Sequence, residues 1–163
     1  MKIPVILNGK KTVLDAEPSE KLITVLRRMK IYSVKCGCME GHCGNCMLLL
    51  NDEPVVSCRI PVGIIRDAQI VTIEYFKNSP IYRDIIQGFN QAGMHLCGYC
   101  TSGKVFTAYG VLKKYYRPDL KQLYSAIKGI DCCCVDKDTF ANGILYAVAA
   151  KHTRENKNSN AKK

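Results

Sequence analysis

Hydrophobic and polar positions follow two different periods along the chain. Residues 3–7 and 11–16 have the pattern of strands on either side of Asn8 and Gly9, a pair that favours a tight hairpin turn because both residues tolerate positive φ. Further strands are predicted at short apolar runs covering residues 47–50, 55–56 and 70–73. The first half therefore predicts a small mixed sheet that opens with a hairpin.

One helix is predicted inside this first half. Residues 20–30 carry apolar side chains at helical spacing, and Ser19 is available as the N-terminal cap just after Pro18. The apolar positions are Leu22, Val25, Leu26 and Met29. We expect this amphipathic helix to cross the sheet.

The second half changes to a helical period. Four segments have this spacing, namely residues 81–91, 102–116, 120–127 and 139–151. The polar, proline-ended segment 77–80 lies where the pattern changes and is the natural joint. The predicted fold class is α+β, with an N-terminal sheet domain followed by a C-terminal four-helix bundle.

Composition places the chain among ordinary globular proteins. Its 163 residues are 47% hydrophobic and 23% charged, which fits one domain or two small ones and excludes a large multidomain enzyme. No apolar stretch approaches the roughly 20 residues that cross a bilayer. The amino terminus turns polar at Asn8 before an apolar signal segment can form. We expect a cytoplasmic protein without a membrane span.

Ten cysteines are too many for a reducing compartment unless they bind metal. The formal net charge of +10 would ordinarily suggest a nucleic-acid partner. That inference weakens if cysteines hold clusters, because an oxidised 2Fe-2S cluster with four thiolates carries about two negative charges. Residues 113–117 mix basic and aromatic side chains, which is typical of a solvated helix end. We therefore predict no nucleic-acid partner.

The first cysteine group has the spacing C-x4-C-x2-C-x11-C and consists of Cys38, Cys43, Cys46 and Cys58. It begins with the plant-type ferredoxin pattern, in which three thiolates on one loop and a distant fourth hold a 2Fe-2S cluster. Glycines on the loop permit positive φ and let backbone N–H groups approach the sulfurs; they are Gly37, Gly41 and Gly44. His42 is predicted to be an exposed or supporting side chain, because the four-cysteine set is already complete.

The second group has the spacing C-x2-C-x31-C-x-C and consists of Cys97, Cys100, Cys132 and Cys134. A helix begins directly after Cys100, so its positive end would face a net-negative cluster. Because Cys132, Cys133 and Cys134 are adjacent, the ligand choice among them stays open on spacing alone. Cys36 is predicted to be a plain buried thiol.

The two motifs together resemble the small iron-sulfur subunit of the molybdenum hydroxylases, the family of xanthine dehydrogenase, aldehyde oxidoreductase and aerobic-type carbon monoxide dehydrogenase. The first motif is C-M-E-G-H-C-G-N-C at residues 38–46 with P-V-V-S-C at 54–58, and the second is C-G-Y-C-T-S-G at 97–103. The resemblance extends from Ile3 to about Ala150. It favours Cys132 and Cys134 as ligands, with Cys133 as a free thiol.

The resemblance implies a ferredoxin-like β-grasp domain followed by a four-helix bundle. The implied division is a plant-type 2Fe-2S domain at 1–76, a linker at 77–81, a helical 2Fe-2S domain at 82–152 and a basic tail at 153–163. We expect this tail to be frayed, as it is polar and lacks Phe, Tyr and Trp.

The implied function is electron relay through two 2Fe-2S clusters. The second cysteine group would take electrons from a molybdenum-pterin cofactor on a large subunit, and the first would pass them to FAD on a medium subunit. The expected assembly is a heterotrimer or its dimer. The chain itself would have no catalytic residues of its own, and the substrate of the complex would be a purine or another N-heterocycle.

Two departures from the family pattern lie at the second site. Leu96 occupies the position where the family has a glutamine that touches the pterin, and residues 129–137 keep the cysteine spacing but lose the flanking amide and hydroxyl groups. We therefore expect a changed surface towards the molybdenum subunit.

Two alternatives come from other classes of protein. A stand-alone two-cluster ferredoxin would be a free monomeric carrier, whereas a relay subunit co-purifies with a molybdenum protein and a flavoprotein. A basic binding module stabilised by zinc would be colourless and would bind nucleic acid with a steep salt dependence.

Overall fold

The fold has a mixed sheet in its first half and helices in its second half. A computed structural model describes residues 1–130 and 134–160. In chain order, the elements are β1 (Lys2–Leu7), β2 (Lys10–Asp15), α1 (Leu22–Arg28), β3 (Met47–Leu50), β4 (Glu53–Val56), β5 (Gln69–Val71), α2 (Ile73–Phe76), α3 (Pro80–Gln91), α4 (Thr101–Lys114), α5 (Leu120–Ile127) and α6 (Lys137–Asn160).

The sheet has five strands in the order β2-β1-β5-β3-β4. Strands β1 and β2 form the antiparallel hairpin, and Asn8 and Gly9 take φ values of 50° and 78° at its turn. Strand β5 pairs parallel with β1 and antiparallel with β3, so a strand from the end of the first half fills the sheet centre. The predicted mixed sheet and its opening hairpin are confirmed.

Helix α1 covers the sheet but starts later than predicted. It begins at Leu22, and its cap residue Lys21 makes no side-chain cap bond, so the prediction that Ser19 caps it was wrong. Lys21 instead pairs with Pro61 in an isolated β-bridge, and the Leu22 amide donates to the Ile60 carbonyl at 2.8 Å. A tertiary partner from the loop after β4 therefore replaces the local cap.

The helical segments predicted for the second half are observed, with shifted ends. Ser79 caps α3, accepting from the Tyr82 amide at 3.2 Å, and Pro80 is the first helical residue. Helix α5 opens with a capping box between Asp119 and Gln122. The short helix α2 was not predicted, because four residues do not complete a recognisable period.

Helix α6 continues to Asn160, well beyond the predicted end at residue 151. Lys151 Nζ donates to the Leu112 carbonyl at 2.9 Å, and Arg154 forms a salt bridge at 2.7 Å with Asp84, which is buried on α3. These contacts hold the polar end of α6 against its neighbours. The expectation that this tail is frayed was therefore wrong for residues 153–160.

The two halves meet along α4, which lies against strands β3 and β4. On the β3–β4 turn, Asp52 accepts a 2.6 Å hydrogen bond from the Tyr109 hydroxyl, and Lys113 pairs with Asp52 and Glu53 at 2.9 and 2.5 Å. The basic and aromatic run at 113–117 thus begins with a lysine that faces an acidic turn of the same chain. Across residues 1–130 and 134–160, no helix has both the length and the apolar character needed to cross a membrane.

Candidate metal centres

The first cysteine loop turns its backbone amides towards Cys38. The Cys38 Sγ atom accepts from the backbone N–H groups of Glu40 at 3.4 Å, His42 at 3.2 Å and Cys43 at 3.4 Å. These bonds, with that from the Cys43 amide the largest, lower the pKa of the Cys38 thiol to about 6. The loop therefore stabilises a thiolate through its main chain.

Positive φ values and a close approach at Gly37 shape this loop. Gly41 and Gly44 have φ values of 82° and 70°, and Met39 also lies in this region at 59°. At Gly37 an added Cβ atom would lie 2.6 Å from Cys43 Sγ, closer than real Cβ atoms come to a neighbour. The glycine at position 37 thus leaves the space that the Cys43 sulfur occupies.

The other two thiols of the first group lie deeper. Cys46 and Cys58 are buried, and the backbone N–H and hydroxyl of Ser57 both donate to the Cys46 carbonyl, at 3.2 and 2.8 Å. Burial, followed by hydrogen bonding with Cys46, raises the pKa of the Cys58 thiol to about 11. Hydrogen bonds also join Cys38 with Cys43, so the structure brings all four predicted residues together.

In the second group, the Sγ atoms of Cys97 and Cys100 lie 3.0 Å apart. The hydrogen bond from Cys100 lowers the pKa of the Cys97 thiol to about 6, with smaller contributions from backbone amides and Cys134. Three predicted residues therefore converge here, whereas Cys132 and Cys133 lie outside the described residues. Cys36 is exposed, so the prediction of a buried thiol was wrong at that position.

The amino-terminal end of α4 also lies at the second group. Cys100 is the residue before the helix, and Thr101 Oγ1 donates to the Cys97 carbonyl at 2.7 Å. One turn into the helix, Lys104 is 1% exposed, and its Nζ atom lies 3.1 Å from Cys100 Sγ. Lys104 was not among the predicted site residues, although its spacing of four from Cys100 puts both residues on one helix face.

The two cysteine loops are in direct contact. The Tyr99 hydroxyl, between Cys97 and Cys100, donates to the Cys36 carbonyl at 3.0 Å. A Cβ atom on Gly103 would lie 2.8 Å from the Gly44 carbonyl oxygen, so α4 lies against the backbone of the first loop. The close contact therefore requires a residue without a Cβ atom at position 103.

The donor set suits iron-sulfur clusters. Across residues 1–130 and 134–160, no three Cys, His, Asp or Glu side chains gather as ligands of a single metal ion. A 2Fe-2S cluster distributes its thiolates over two irons, and amides directed at sulfur together with a buried ammonium suit its negative charge. The His42 side chain is 75% exposed, as predicted, and its backbone N–H donates to Cys38 Sγ.

Leu96, which precedes the second motif, is half-buried and packs against the helical core. Its side chain is therefore engaged within this chain.

Comparison with known proteins identifies both sites as iron-sulfur modules. Residues 10–94 match the family model described as a 2Fe-2S iron-sulfur cluster binding domain, and residues 72–149 match that described as a 2Fe-2S binding domain. The chain thus contains two 2Fe-2S binding domains.

Individual relatives identify a narrower class of protein. The chain is 34% identical over 143 residues to the nicotinate dehydrogenase small FeS subunit of Eubacterium barkeri, covering 87% of this chain and 91% of that protein. It is 32% identical over 135 residues to the isoquinoline 1-oxidoreductase subunit alpha of Brevundimonas diminuta, covering 81% and 88%. The crystal structure of quinoline 2-oxidoreductase from Pseudomonas putida 86 aligns with a TM-score of 0.79 and 28% identity, over 93% of this chain and 96% of that one.

The chain belongs to the family of small 2Fe-2S subunits of molybdenum hydroxylases. It is accordingly a two-cluster electron-transfer subunit of a molybdenum-containing oxidoreductase. This sets aside the zinc-stabilised binding module and the stand-alone ferredoxin.

Proposed function

We propose that this chain carries electrons from a molybdenum-pterin subunit to an FAD subunit through two 2Fe-2S clusters. Cys38, Cys43, Cys46 and Cys58 would hold the first cluster, and Cys97, Cys100, Cys132 and Cys134 the second. When bound, each cluster accepts and releases one electron at a time. Neither site would bind the organic substrate.

The contact between the two cysteine loops carries this proposal. Gly103 lies against the Gly44 carbonyl, and the Tyr99 hydroxyl reaches the Cys36 carbonyl at 3.0 Å, so the loops abut without an intervening layer of side chains. An electron relay needs its two centres close together and held at a fixed separation. The ion pairs of Lys113 with the β3–β4 turn further fix α4 against the first half.

The protein contributes position and electrostatics rather than bond-making chemistry. Backbone amides at Cys38 and the helix end beyond Cys100 stabilise negative charge on the sulfurs. Cys46, Cys58 and Cys100 lie buried, which keeps water from these thiolates. The more exposed Cys38 leaves one side of the first site open towards solvent or a partner.

The finer fold assignment belongs to the same proposal. We propose that residues 1–76 form a ferredoxin-like β-grasp domain and that 77–81 link it to a helical domain at 82–152. We propose further that α3–α6 form a four-helix bundle, whose first and last helices extend past these bounds to Pro80 and Asn160. The separate hydrophobic clusters of the two halves support this division, although Leu49, Ile73 and Phe76 pack with the helical cluster.

The partners would be a large molybdenum-pterin subunit and a medium FAD subunit, in a heterotrimer or its dimer. The relatives are named as subunits of nicotinate and isoquinoline oxidoreductases. The complex would therefore oxidise an N-heterocyclic aromatic compound, a class that includes the purines.

Anaerobic co-expression with the neighbouring subunits tests this function. The purified complex should contain molybdenum, FAD and about four irons per copy of this chain, with two distinct 2Fe-2S signals in low-temperature EPR. Cys46→Ser should abolish one signal and Cys100→Ser the other. Iron-free protein after reconstitution, or loss of both signals from either variant, would contradict the proposal.

A further inference from the structure

A buried lysine lies beside the second cysteine group and is not one of the proposed cluster ligands. Lys104 is 1% exposed, and its Nζ atom lies 3.1 Å from Cys100 Sγ. Side chains on a helix lean towards its amino terminus, which directs Lys104 back along α4 to the residue preceding the helix. The contact is therefore built into the helix geometry.

This position is electrostatically costly for a lysine in the absence of an anion. Burying an ammonium group removes it from water, and the amino-terminal end of a helix already carries partial positive charge. A net-negative cluster held by Cys97 and Cys100 would offset both costs at once. The location of Lys104 thus points to a charge that is matched to the cluster.

We propose that Lys104 raises the reduction potential of the second cluster through its positive charge. The inference rests on the proposed function, in which Cys100 is a ligand of that cluster. Reduction adds one electron, supplied by the molybdenum-pterin donor, and no bond to Lys104 forms or breaks. The added negative charge interacts favourably with the ammonium across a poorly solvated contact, so the reduced form gains more than the oxidised form.

The test is an EPR-monitored redox titration of the intact complex with Lys104→Met, which keeps length and volume but removes the charge. The equilibrium constant for reducing the second cluster should fall at least about tenfold, which is about 59 mV for a one-electron couple. The first cluster is the internal control and should stay within about twofold. Because the contact is buried, the shift should persist in about 0.5 M salt.

Two further variants separate charge from packing. Lys104→Arg keeps the positive charge and should retain most of the wild-type potential. Lys114→Met removes a lysine from the exposed far end of the same helix, about 15 Å away along its axis, and should shift the second cluster less than about twofold.

Three results would overturn the inference about Lys104, and a fourth would overturn the proposed function. An unchanged second-cluster potential in Lys104→Met overturns the inference, as does an equal shift in Lys114→Met. Loss of the second cluster from both Lys104→Met and Lys104→Gln also overturns it, since Lys104 would then serve assembly rather than potential. If Cys100→Ser leaves both EPR signals intact, the proposed function has failed instead.

Discussion

The two cysteine sites stabilise the same kind of charge by different means. At the first site, backbone amides of a glycine-rich loop donate to the sulfur of Cys38. At the second site, a helix end and the ammonium of Lys104 lie against Cys100. The first solution depends on backbone conformation and the second on one side chain, so the two sites should respond differently to the same kind of substitution.

The largest difference is expected between two glycines, Gly37 before the first cysteine of the first group and Gly98 after the first cysteine of the second group. Gly37→Ala places a methyl group 2.6 Å from Cys43 Sγ, whose position is fixed once it binds iron, whereas a Cβ atom at Gly98 has no neighbour within 4 Å. Gly37→Ala should lose the first EPR signal and about half of the iron. Gly98→Ala is the control and should keep both signals. Equal iron content in the two variants would remove the proposed difference between the sites.

The junction of the two regions should also be sensitive to an added methyl group. A methyl group at position 103 would lie against the Gly44 backbone. This overpacking should lower the free energy of unfolding by about 1–3 kcal/mol. The higher helix propensity of alanine should offset about 1 kcal/mol of that loss. We expect Gly103→Ala to lower the free energy of unfolding by about 0–2 kcal/mol in denaturant titrations, and to leave it below that of Gly110→Ala.

Gly110→Ala is the matched control on the same helix. Its Cβ atom would meet only the Pro54 ring, at 3.3 Å, and a ring can move where a carbonyl cannot. Because this variant gains the same helix propensity of about 1 kcal/mol, its free energy of unfolding should stay unchanged or rise by up to about 1 kcal/mol. A Gly103→Ala variant as stable as Gly110→Ala would show that the two loops do not need their close contact.

Variants at the polar end of α6 test whether residues 153–160 contribute to the stability of the helical region. Arg154→Met leaves the buried Asp84 carboxylate without the guanidinium that pairs with it. Because Arg154 is partly exposed, the loss of stability should be smaller than for a fully buried ion pair. The free energy of unfolding should fall by about 1–3 kcal/mol. Lys157→Met, at an exposed position on the same helix, should have little effect. If truncation after residue 152 costs no stability, the basic tail does not contribute to the helical region.

The smallest effect is expected at the surface ion pairs between the two regions. Lys113→Met removes the pairs with Asp52 and Glu53, which are exposed and therefore weak. The denaturation midpoint should fall slightly at low ionic strength. In about 0.5 M salt the variant and the parent should coincide, because exposed charges are then screened. A salt-independent loss would instead indicate a packing role for the lysine stem.

Local pattern accounts for most of the secondary structure. Asn8-Gly9 predicted the opening hairpin, because positive φ is a property of those residues themselves. Ser79 and Asp119 begin helices through bonds to amides three residues away. The start of α1 and the continuation of α6 past residue 151 could not be obtained in this way, because they involve distant partners, a β-bridge with Pro61 and an ion pair with Asp84.

The sequence by itself predicted the two cysteine groups, apart from the choice among Cys132, Cys133 and Cys134, because ligand spacing and glycine content are encoded along the chain. Only the tertiary structure decided that the two groups touch, that Gly103 lies on Gly44, and that Lys104 is buried against Cys100. The physical reason is that periodicity reports which face of a helix is apolar but not what that face meets. From its residue type alone, a lysine is expected to face solvent. Only the fold shows that Lys104 is buried beside a sulfur.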